Sequence, residues 1–214
     1  LWETAYTDLQ TAFIEASDPA NAVQSIRIAG GVYRPDQGSG DPELAFDIAV
    51  GLTVLGGYAG TGAENPNERD PAQFTTVLSG DLLGNDGPGA DLNDPTRADN
   101  AINVMTVRNL AETVVLDGLV IEGGNARFGF DGGGLLSTSA SLEVRDCAFR
   151  RNAAARGGAI FVDGTDLDLL KCEFTDNAAR DAGGAFYHGQ TCFFAPCGLD
   201  VAFCTFVGND AVID

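Results

Sequence analysis

The stretch "FRRNAAARGGAIF" at residues 149–161 returns as "FTDNAARDAGGAFY" at residues 174–187 and begins again as "FVGND" at residues 206–210. Self-similarity at a period of about 20–30 residues is typical of a solenoid, in which each repeat forms one turn and packs on its neighbours. The segments leading into the copies, "SLEVRDCAF", "LDLLKCEF" and "LDVAFCTF", alternate apolar and polar residues and are too short for paired helices. The sequence therefore predicts an all-β fold, a single-stranded parallel β-helix with one repeat per turn.

Equivalent residues of a parallel β-helix lie directly above one another, about 4.8 Å apart. One predicted column is an interior aromatic stack of Phe149, Phe174 and Phe206. Another is an amide ladder at a bend, made of Asn152, Asn177 and Asn209. Asparagine suits a bend because it tolerates the left-handed conformation and its amide can bond the next rung. The glycine pairs at 157–158 and 183–184 are expected at the next corner, where φ is positive or a Cβ would collide.

The upstream half repeats less regularly. A weaker copy, "LDGLVIEGGNARFGFDGGGLL", begins at residue 116, and strand-like segments occur at 25–33, 46–58, 75–81 and 102–109, which brings the count to about seven rungs. In "TDLQTAFIEAS" at residues 7–17, Thr7 and Gln10 suggest a capping box, and the apolar residues fall on one helical face. We expect this helix to cap the first rung, whose free edge would otherwise promote association.

The whole chain, residues 1–214, is interpreted as one β-helix domain and as part of a longer protein. Residues 1–20 form the N-terminal cap, residues 21–110 the irregular rungs with a long acidic loop, and residues 111–214 the regular repeats. The formal net charge of −19 repels polyanions, which excludes nucleic acid as a partner class. No stretch reaches the roughly 18–20 apolar residues of a transmembrane helix, so no transmembrane segment is predicted in this chain.

Two features carry a family resemblance. The F-x-x-N phrase followed by "GGAI" or "GGAF" resembles the repeat of chlamydial polymorphic membrane proteins. The segments "LWETAYTDLQTAF", "IAGGVYRPD", "LTVLGGYAG" and "VVLDGLVIEGGNA" resemble the N-terminal part of large bacterial surface proteins with right-handed parallel β-helix (pectin-lyase-like) domains. The resemblance implies export, display on or release from a bacterial surface, and adhesion or contact with a glycan or protein.

The predicted function is therefore that of a non-catalytic extracellular module for adhesion, structure or glycan contact. The alternative is a polysaccharide lyase or hydrolase of the pectin-lyase-like fold. Lyases of this shape typically use arginine or lysine as the base together with calcium, and the hydrolases use clustered aspartates with a histidine nearby. No phrase of the chain matches the hydrolases, and the single histidine, His188, is predicted to be an ordinary outward residue. No catalytic residue is predicted.

The five cysteines fall into two groups. Cys147, Cys172 and Cys204 occupy one column, where parallel Cβ vectors fit the disulfide dihedral poorly, so a ladder of buried thiols is favoured over disulfides between rungs. Cys192 and Cys197 lie in "QTCFFAPCG", the insertion that lengthens the second repeat interval to 32 residues. A disulfide across this insertion is predicted, as suits an oxidising compartment. The alternative is a pair of reduced, separately buried cysteines.

Two acidic groups are candidate calcium sites, and calcium is the only cofactor considered. Glu143, Asp168 and Asp200 each precede a column cysteine by four residues, and alternation places them outward and stacked. They either bind a hard cation such as Ca²⁺ or remain solvated and screened by salt and Arg145. The second group lies in the loop at residues 80–100, with Asp81, Asn85 and Asp86 as candidate ligands. The alternative there is a flexible acidic loop without metal.

Overall fold

The computed structural model, which describes residues 2–189 and 197–211, is a parallel β-helix of six rungs built from four sheets. The all-β prediction is confirmed, as is the helix near the N-terminus. The third, fourth and fifth rungs each pass through the first, second, third and fourth sheets in turn. Among the described residues, the first two rungs have no strand in the third sheet, and the sixth has none in the fourth. Every pair of neighbouring strands is parallel. No helix among the described residues is long and apolar enough to cross a membrane.

The strands are numbered along the chain. The first sheet contains β1 (Ser25–Ala29), β4 (Thr53–Tyr58), β7 (Thr113–Asp117), β11 (Ser141–Arg145), β15 (Asp166–Leu170) and β19 (Leu199–Ala202). The second sheet contains β2 (Gly31–Tyr33), β5 (Thr76–Ser79), β8 (Leu119–Glu122), β12 (Ala148–Arg150), β16 (Glu173–Thr175) and β20 (Thr205–Val207).

The third sheet contains β9 (Asn125–Ala126), β13 (Ala153–Arg156), β17 (Ala178–Ala182) and β21 (Asp210–Ala211). The fourth sheet contains β3 (Phe46–Ile48), β6 (Met105–Arg108), β10 (Leu135–Thr138), β14 (Ile160–Asp163) and β18 (Phe186–Gly189). The α-helix α1 spans Leu9–Ser17, and three 3-10 helices span Trp2–Thr4, Pro19–Asn21 and Pro95–Arg97.

The expected count of seven rungs was wrong, because segments counted as separate rungs are successive sides of one turn. Strand β3 closes the first rung, and β4, β5 and β6 are three sides of the second. The loops at 59–75 and 80–104 separate those three sides in the sequence. Insertions of this length hide the period while leaving the stacking of strands intact.

Interior columns follow from strict register. Leu142 pairs with Leu167 and Val144 with Leu169, and all four side chains are buried. The rings of Phe149 and Phe174 lie 5.2 Å apart and nearly parallel, and those of Phe174 and Phe206 lie 4.9 Å apart. Because each rung presents the same residue type at the same place, apolar side chains stack on their equivalents and leave a continuous core.

The asparagine column ties each bend to the preceding rung. Asn177 Nδ2 donates to the backbone oxygen of Phe149 at 2.9 Å, and its Oδ1 accepts from the backbone N–H of Asn152 at 3.0 Å. Asn209 repeats the pattern toward Phe174 and Asn177. The left-handed conformation, however, belongs to the residue before each asparagine: Arg151, Asp176 and Gly208. The expectation that asparagine itself would take it was wrong, because the bend places the amide inside the turn.

The glycine pairs occupy the next corner. Gly157 and Gly183 have φ of 63° and 70°, in the left-handed region. A Cβ on Gly158 would lie 2.3 Å from the backbone oxygen of Ala178, and one on Gly184 would lie 2.2 Å from that of Asp210. The first glycine of each pair therefore turns the chain, and the second lets neighbouring rungs approach each other.

Helix α1 begins at Asp8, whose carboxylate accepts from the backbone N–H groups of Gln10 and Thr11. The predicted capping box at Thr7 was wrong by one residue, and the Gln10 side chain instead donates to the backbone oxygen of Ala45 at 3.0 Å. Phe13 packs against Phe46 with ring centroids 5.9 Å apart. The helix thus covers the edge of the fourth sheet at β3.

Candidate binding surface

An outward aromatic pair lies on the fourth sheet. Phe161 of β14 and Tyr187 of β18 are in register, and their rings are 5.4 Å apart and almost parallel. Both rings lie on the outer face of the sheet, because Ile160 and Val162, on either side of Phe161, are buried in the core. Phe161 is only 6% exposed, and Tyr187 is half-buried. Arg156 covers the pair, with its guanidinium carbon 5.0 Å from the Phe161 ring centre and 5.1 Å from that of Tyr187.

The position of Arg156 is fixed by a carboxylate from the neighbouring rung. Its Nε donates to Asp131 Oδ1 at 3.1 Å and its Nη2 to Asp131 Oδ2 at 2.7 Å. These hydrogen bonds raise the pKa of Arg156, which stays charged at every physiological pH. This bidentate ion pair holds the guanidinium plane over the rings, where the cation is attracted to both π-systems.

The loop before Asp131 adds two exposed phenylalanines. Phe128 is 87% exposed and Phe130 is 52% exposed. The loop is fixed to β13 by the backbone N–H of Ala155, which donates to the backbone oxygen of Phe130 at 2.8 Å. A groove of about 360 Å³ runs beside it, with Leu92, Pro95, Ala126, Phe128 and Arg180 among its lining residues. We call Phe128, Phe130, Arg156, Phe161 and Tyr187 the aromatic surface.

The sequence contained a signal for part of this surface. Phe161 and Tyr187 are the last residues of the two quoted phrases, so the repeat itself places an aromatic residue at one outward position. Phe128 and Phe130 occur in the weaker upstream copy of the repeat, in the loop between the third and fourth sheets. The later copies have a shorter loop at this corner. What the alternation of apolar residues did not indicate is that Arg156 and Asp131, from different rungs, would meet above the rings.

The predicted carboxylate column lies on the outer face of the first sheet. Glu143, Asp168 and Asp200 are in register on β11, β15 and β19 and line a shallow groove of about 320 Å³. Glu143 forms an ion pair with Arg145 at 3.2 Å. Desolvation, with Asp200 and then Glu143 as further contributors, raises the pKa of Asp168. Within residues 2–189 and 197–211, no three His, Cys, Asp or Glu side chains form a cluster able to hold one metal ion.

Replacing Asp168 by asparagine is expected to raise the melting temperature at neutral pH. A carboxyl group whose pKa is raised by folding destabilises the fold when it is ionised. The gain should therefore be full above the pKa of Asp168 and vanish as the pH falls through it. Melting curves of both proteins across this range, at low and high salt, measure the effect. Because the group is exposed, salt should reduce the gain.

The control is Asp163→Asn on the fourth sheet, a site away from the column. A gain at Asp163 equal to that at Asp168 would contradict the explanation from the raised pKa of Asp168. The same melts in chelator and in millimolar calcium test the calcium hypothesis for both acidic groups. Calcium bound to the folded state must raise the melting temperature of the wild type. An unchanged melting temperature would remove calcium from consideration.

The second acidic group is bonded within its own loop. Asp81 Oδ1 accepts from the backbone N–H groups of Gly84 and Asn85 at 2.7 and 3.1 Å, and its Oδ2 accepts from that of Asp86. The Oδ2 of Asp86 accepts from the Nη1 of Arg97 at 3.0 Å. Burial is the main cause that raises the pKa of Asp86. Arg97 therefore supplies a positive charge beside Asp86, and calcium binding by this loop stays a prediction.

The column cysteines are free thiols, two of them buried and Cys204 half-buried. The Sγ of Cys172 donates to the backbone oxygen of Val144 at 3.3 Å, and its backbone N–H donates to Cys204 Sγ at 3.4 Å. Burial raises the pKa of Cys172 to about 12 and also raises the pKa of Cys147. The sulfurs of Cys147 and Cys172 are therefore protonated packing groups, since nucleophilic chemistry requires a thiolate.

Two further predictions concern the last repeat. Cys192 lies outside the described residues, so the disulfide to Cys197 stays a prediction. His188 is in register with the buried Val162, two residues after Phe186, whose ring packs against Phe174. Its half-buried ring has Nε2 3.2 Å from the backbone oxygen of Thr165. The prediction of an outward His188 was wrong, because alternation from Phe186 places it on the inner face.

No family model, curated protein or solved structure matches this chain. What links it to other β-helix proteins is therefore its fold, a parallel solenoid of about six turns.

Proposed function

We propose that this protein is an exported, extracellular β-helix module that binds glycans without catalysis, and that the aromatic surface is its binding site. The similarity of its repeats to those of polymorphic membrane proteins supports display at a bacterial surface. The observation that carries the proposal is the exposed pair of Phe128 and Phe130 together with the half-buried Tyr187. The buried Phe161 ring and Arg156 hold Tyr187 in place. Apolar faces with a few fixed polar groups are the usual composition of small-molecule sites.

The charge of the protein narrows the ligand class. A net charge of −19 repels polyanionic chains, whereas a neutral glycan has no such penalty. The C–H faces of neutral sugar rings can pack on Phe128 and Tyr187, and Arg156, which lies over Tyr187, can donate to sugar hydroxyl groups. We therefore propose a neutral glycan as the ligand.

The test is binding of the protein to a panel of immobilised neutral and acidic oligosaccharides. The double variant Phe128→Ala/Phe130→Ala is expected to weaken binding of the preferred neutral glycan by about tenfold or more, since buried aromatic contacts dominate such interfaces. Both side chains are exposed, so the variant should melt at the wild-type temperature. The matched control is Tyr6→Ala, which removes an exposed aromatic ring at the N-terminal end.

Binding that is equally weakened by Tyr6→Ala would overturn the assignment to the aromatic surface. The alternative function is a polysaccharide lyase or hydrolase. Incubation with acidic and neutral polysaccharides and added calcium should release no unsaturated or reducing ends. Turnover that is lost in the variant Asp168→Asn would replace the binding proposal with the enzymatic one.

A further inference from the structure

The first rung has an edge with which no strand among the described residues pairs. Strand β1 ends the first sheet and pairs on one side only, with β4. Because α1 packs on β3 of the fourth sheet, a cleft of about 780 Å³ remains between β1 and the N-terminal segment. All five residues of β1 line this cleft, together with the apolar face of α1, Tyr33, and residues 2, 3 and 5–7. We call it the N-terminal cleft.

The backbone of β1 presents hydrogen-bonding groups to the cleft. The backbone oxygen of Gln24 accepts from Thr53 on β4, and the backbone N–H of Gly30 donates to Tyr58 at the end of β4. In a strand, successive residues direct their N–H and C=O groups to opposite sides. The alternation therefore points the groups of Ser25 and Arg27 away from β4 and into the cleft, where no strand of the described residues lies beside them.

The side chains of β1 define what an added strand would need. Ile26 and Ile28 face the core, and Ile28 is buried. Leu9, Ala16 and Val23 extend that apolar floor into the cleft. The side chain of Arg27 points outward and packs over Tyr58, with its guanidinium carbon 5.7 Å from the ring centre. Within residues 2–189 and 197–211, Arg27 forms no salt bridge with an acidic side chain.

We propose that the N-terminal cleft binds an extended peptide segment of a partner protein, which adds to β1 as a parallel strand. Main-chain hydrogen bonds to Ser25 and Arg27 provide the pairing, and alternate side chains provide the selectivity. Residues opposite Ile26 and Ile28 must be apolar, and the residue opposite Arg27 must be acidic, because cross-strand opposite charges attract. This site is separate from the aromatic surface and does not depend on the glycan proposal.

The probe is the acetylated peptide Thr-Ile-Glu-Ile-Thr, titrated into isotopically labelled protein and followed by NMR. We expect shifts confined to β1, Tyr33, α1 and the segment 2–7. Hydrogen exchange of the Arg27 amide should slow by about tenfold at saturation, because that N–H gains an acceptor. The amides of Ile26 and Ile28, which point toward β4, should change little and serve as internal controls.

Two peptide variants test the pairing. In a parallel strand the N–H groups of both isoleucines face β1 and that of the glutamate faces away. N-methylation of the isoleucines should abolish binding, and N-methylation of the glutamate should leave it intact. Binding that survives methylation of both isoleucines would overturn strand addition. This comparison uses the wild-type protein, so it does not depend on the folding of any variant.

A charge exchange tests the selectivity. The variant Arg27→Glu should bind the original peptide about fivefold more weakly and bind Thr-Ile-Lys-Ile-Thr about fivefold more tightly than the wild type does. Equal affinities for both peptides would contradict the role of Arg27. A last experiment measures the oligomeric state of the protein alone by sedimentation. Self-association that Arg27→Pro removes and Arg27→Ala retains would assign the edge to a second copy and overturn the peptide proposal.

Discussion

Replacing Phe174 by alanine is expected to lower the free energy of unfolding by about 3–5 kcal/mol, the usual cost of truncating a buried phenylalanine. The ring is fully buried and is stacked between Phe149 and Phe206, at 5.2 and 4.9 Å, with Phe186 at 6.4 Å. Its removal leaves a cavity in the middle of a continuous column, where rungs held in register on both sides cannot close the gap. Chemical denaturation of both proteins measures the loss.

The matched control is Phe206→Ala, which makes the same chemical change one rung further on. Phe206 is 44% exposed, so it loses less burial and leaves a site that water can fill. We expect a loss of about 1–2 kcal/mol there, in proportion to the smaller buried area. Equal losses of stability at Phe174 and Phe206 would contradict this explanation. They would show that burial of the ring, and the cavity left by its removal, do not determine the cost.

The interior of this fold was predictable because repetition converts sequence alignment into spatial contact. Aligning the phenylalanines at 149, 174 and 206 placed their side chains in one stack, and the same alignment located Asn152 and Asn177. The backbone conformation at each bend could not be predicted in the same way. The left-handed conformation falls on Arg151 and Asp176 because the bend is set by pairing with adjacent rungs. Residue preference alone favours the asparagine, and here pairing overrides it.

The side-chain contacts on the outer surface were less predictable. They join residues that do not occupy equivalent positions of the repeat. Asp131 reaches Arg156 across a rung, and the aromatic pair is covered only when that contact forms. The first two rungs share this difficulty, because loops of differing length interrupt them. The edge of β1 could not be recognised from the sequence either, since whether α1 covers one sheet or all four depends on its packing against Phe46.

Arg97 is the second position where a large effect is expected, because it joins the acidic loop to two rungs. Its side chain is fully buried. The Nη1 donates to Asp86 Oδ2 at 3.0 Å, and the Nη2 donates to the backbone oxygens of Gly124 at 3.0 Å and Arg151 at 2.9 Å. Burial lowers the pKa of Arg97, and Asp86 opposes that shift.

The variant Arg97→Met is expected to lower the free energy of unfolding at neutral pH by about 3–5 kcal/mol, the cost of breaking a buried pair from one side. The Asp86 carboxylate would remain, nearly buried and without its cation. Chemical denaturation measures the loss of stability. The control is the exposed ion pair between Arg150 and Glu173. Arg150→Met removes the partner of Glu173 and should cost about 0–1 kcal/mol.

A second substitution and a change of pH separate charge from packing. In Arg97→Met/Asp86→Asn the orphaned charge is gone, so most of the stability should return. Burial raises the pKa of Asp86 in the wild type, and Arg97 opposes that shift. Removing Arg97 should therefore raise this pKa further, so that ionised Asp86 destabilises the variant above it. Stability relative to the wild type should therefore improve as the pH falls through the pKa of Asp86. A deficit that neither the Asp86→Asn change nor acid reduces would show that Arg97 acts through its volume and its bonds to Gly124 and Arg151, with no contribution from its charge.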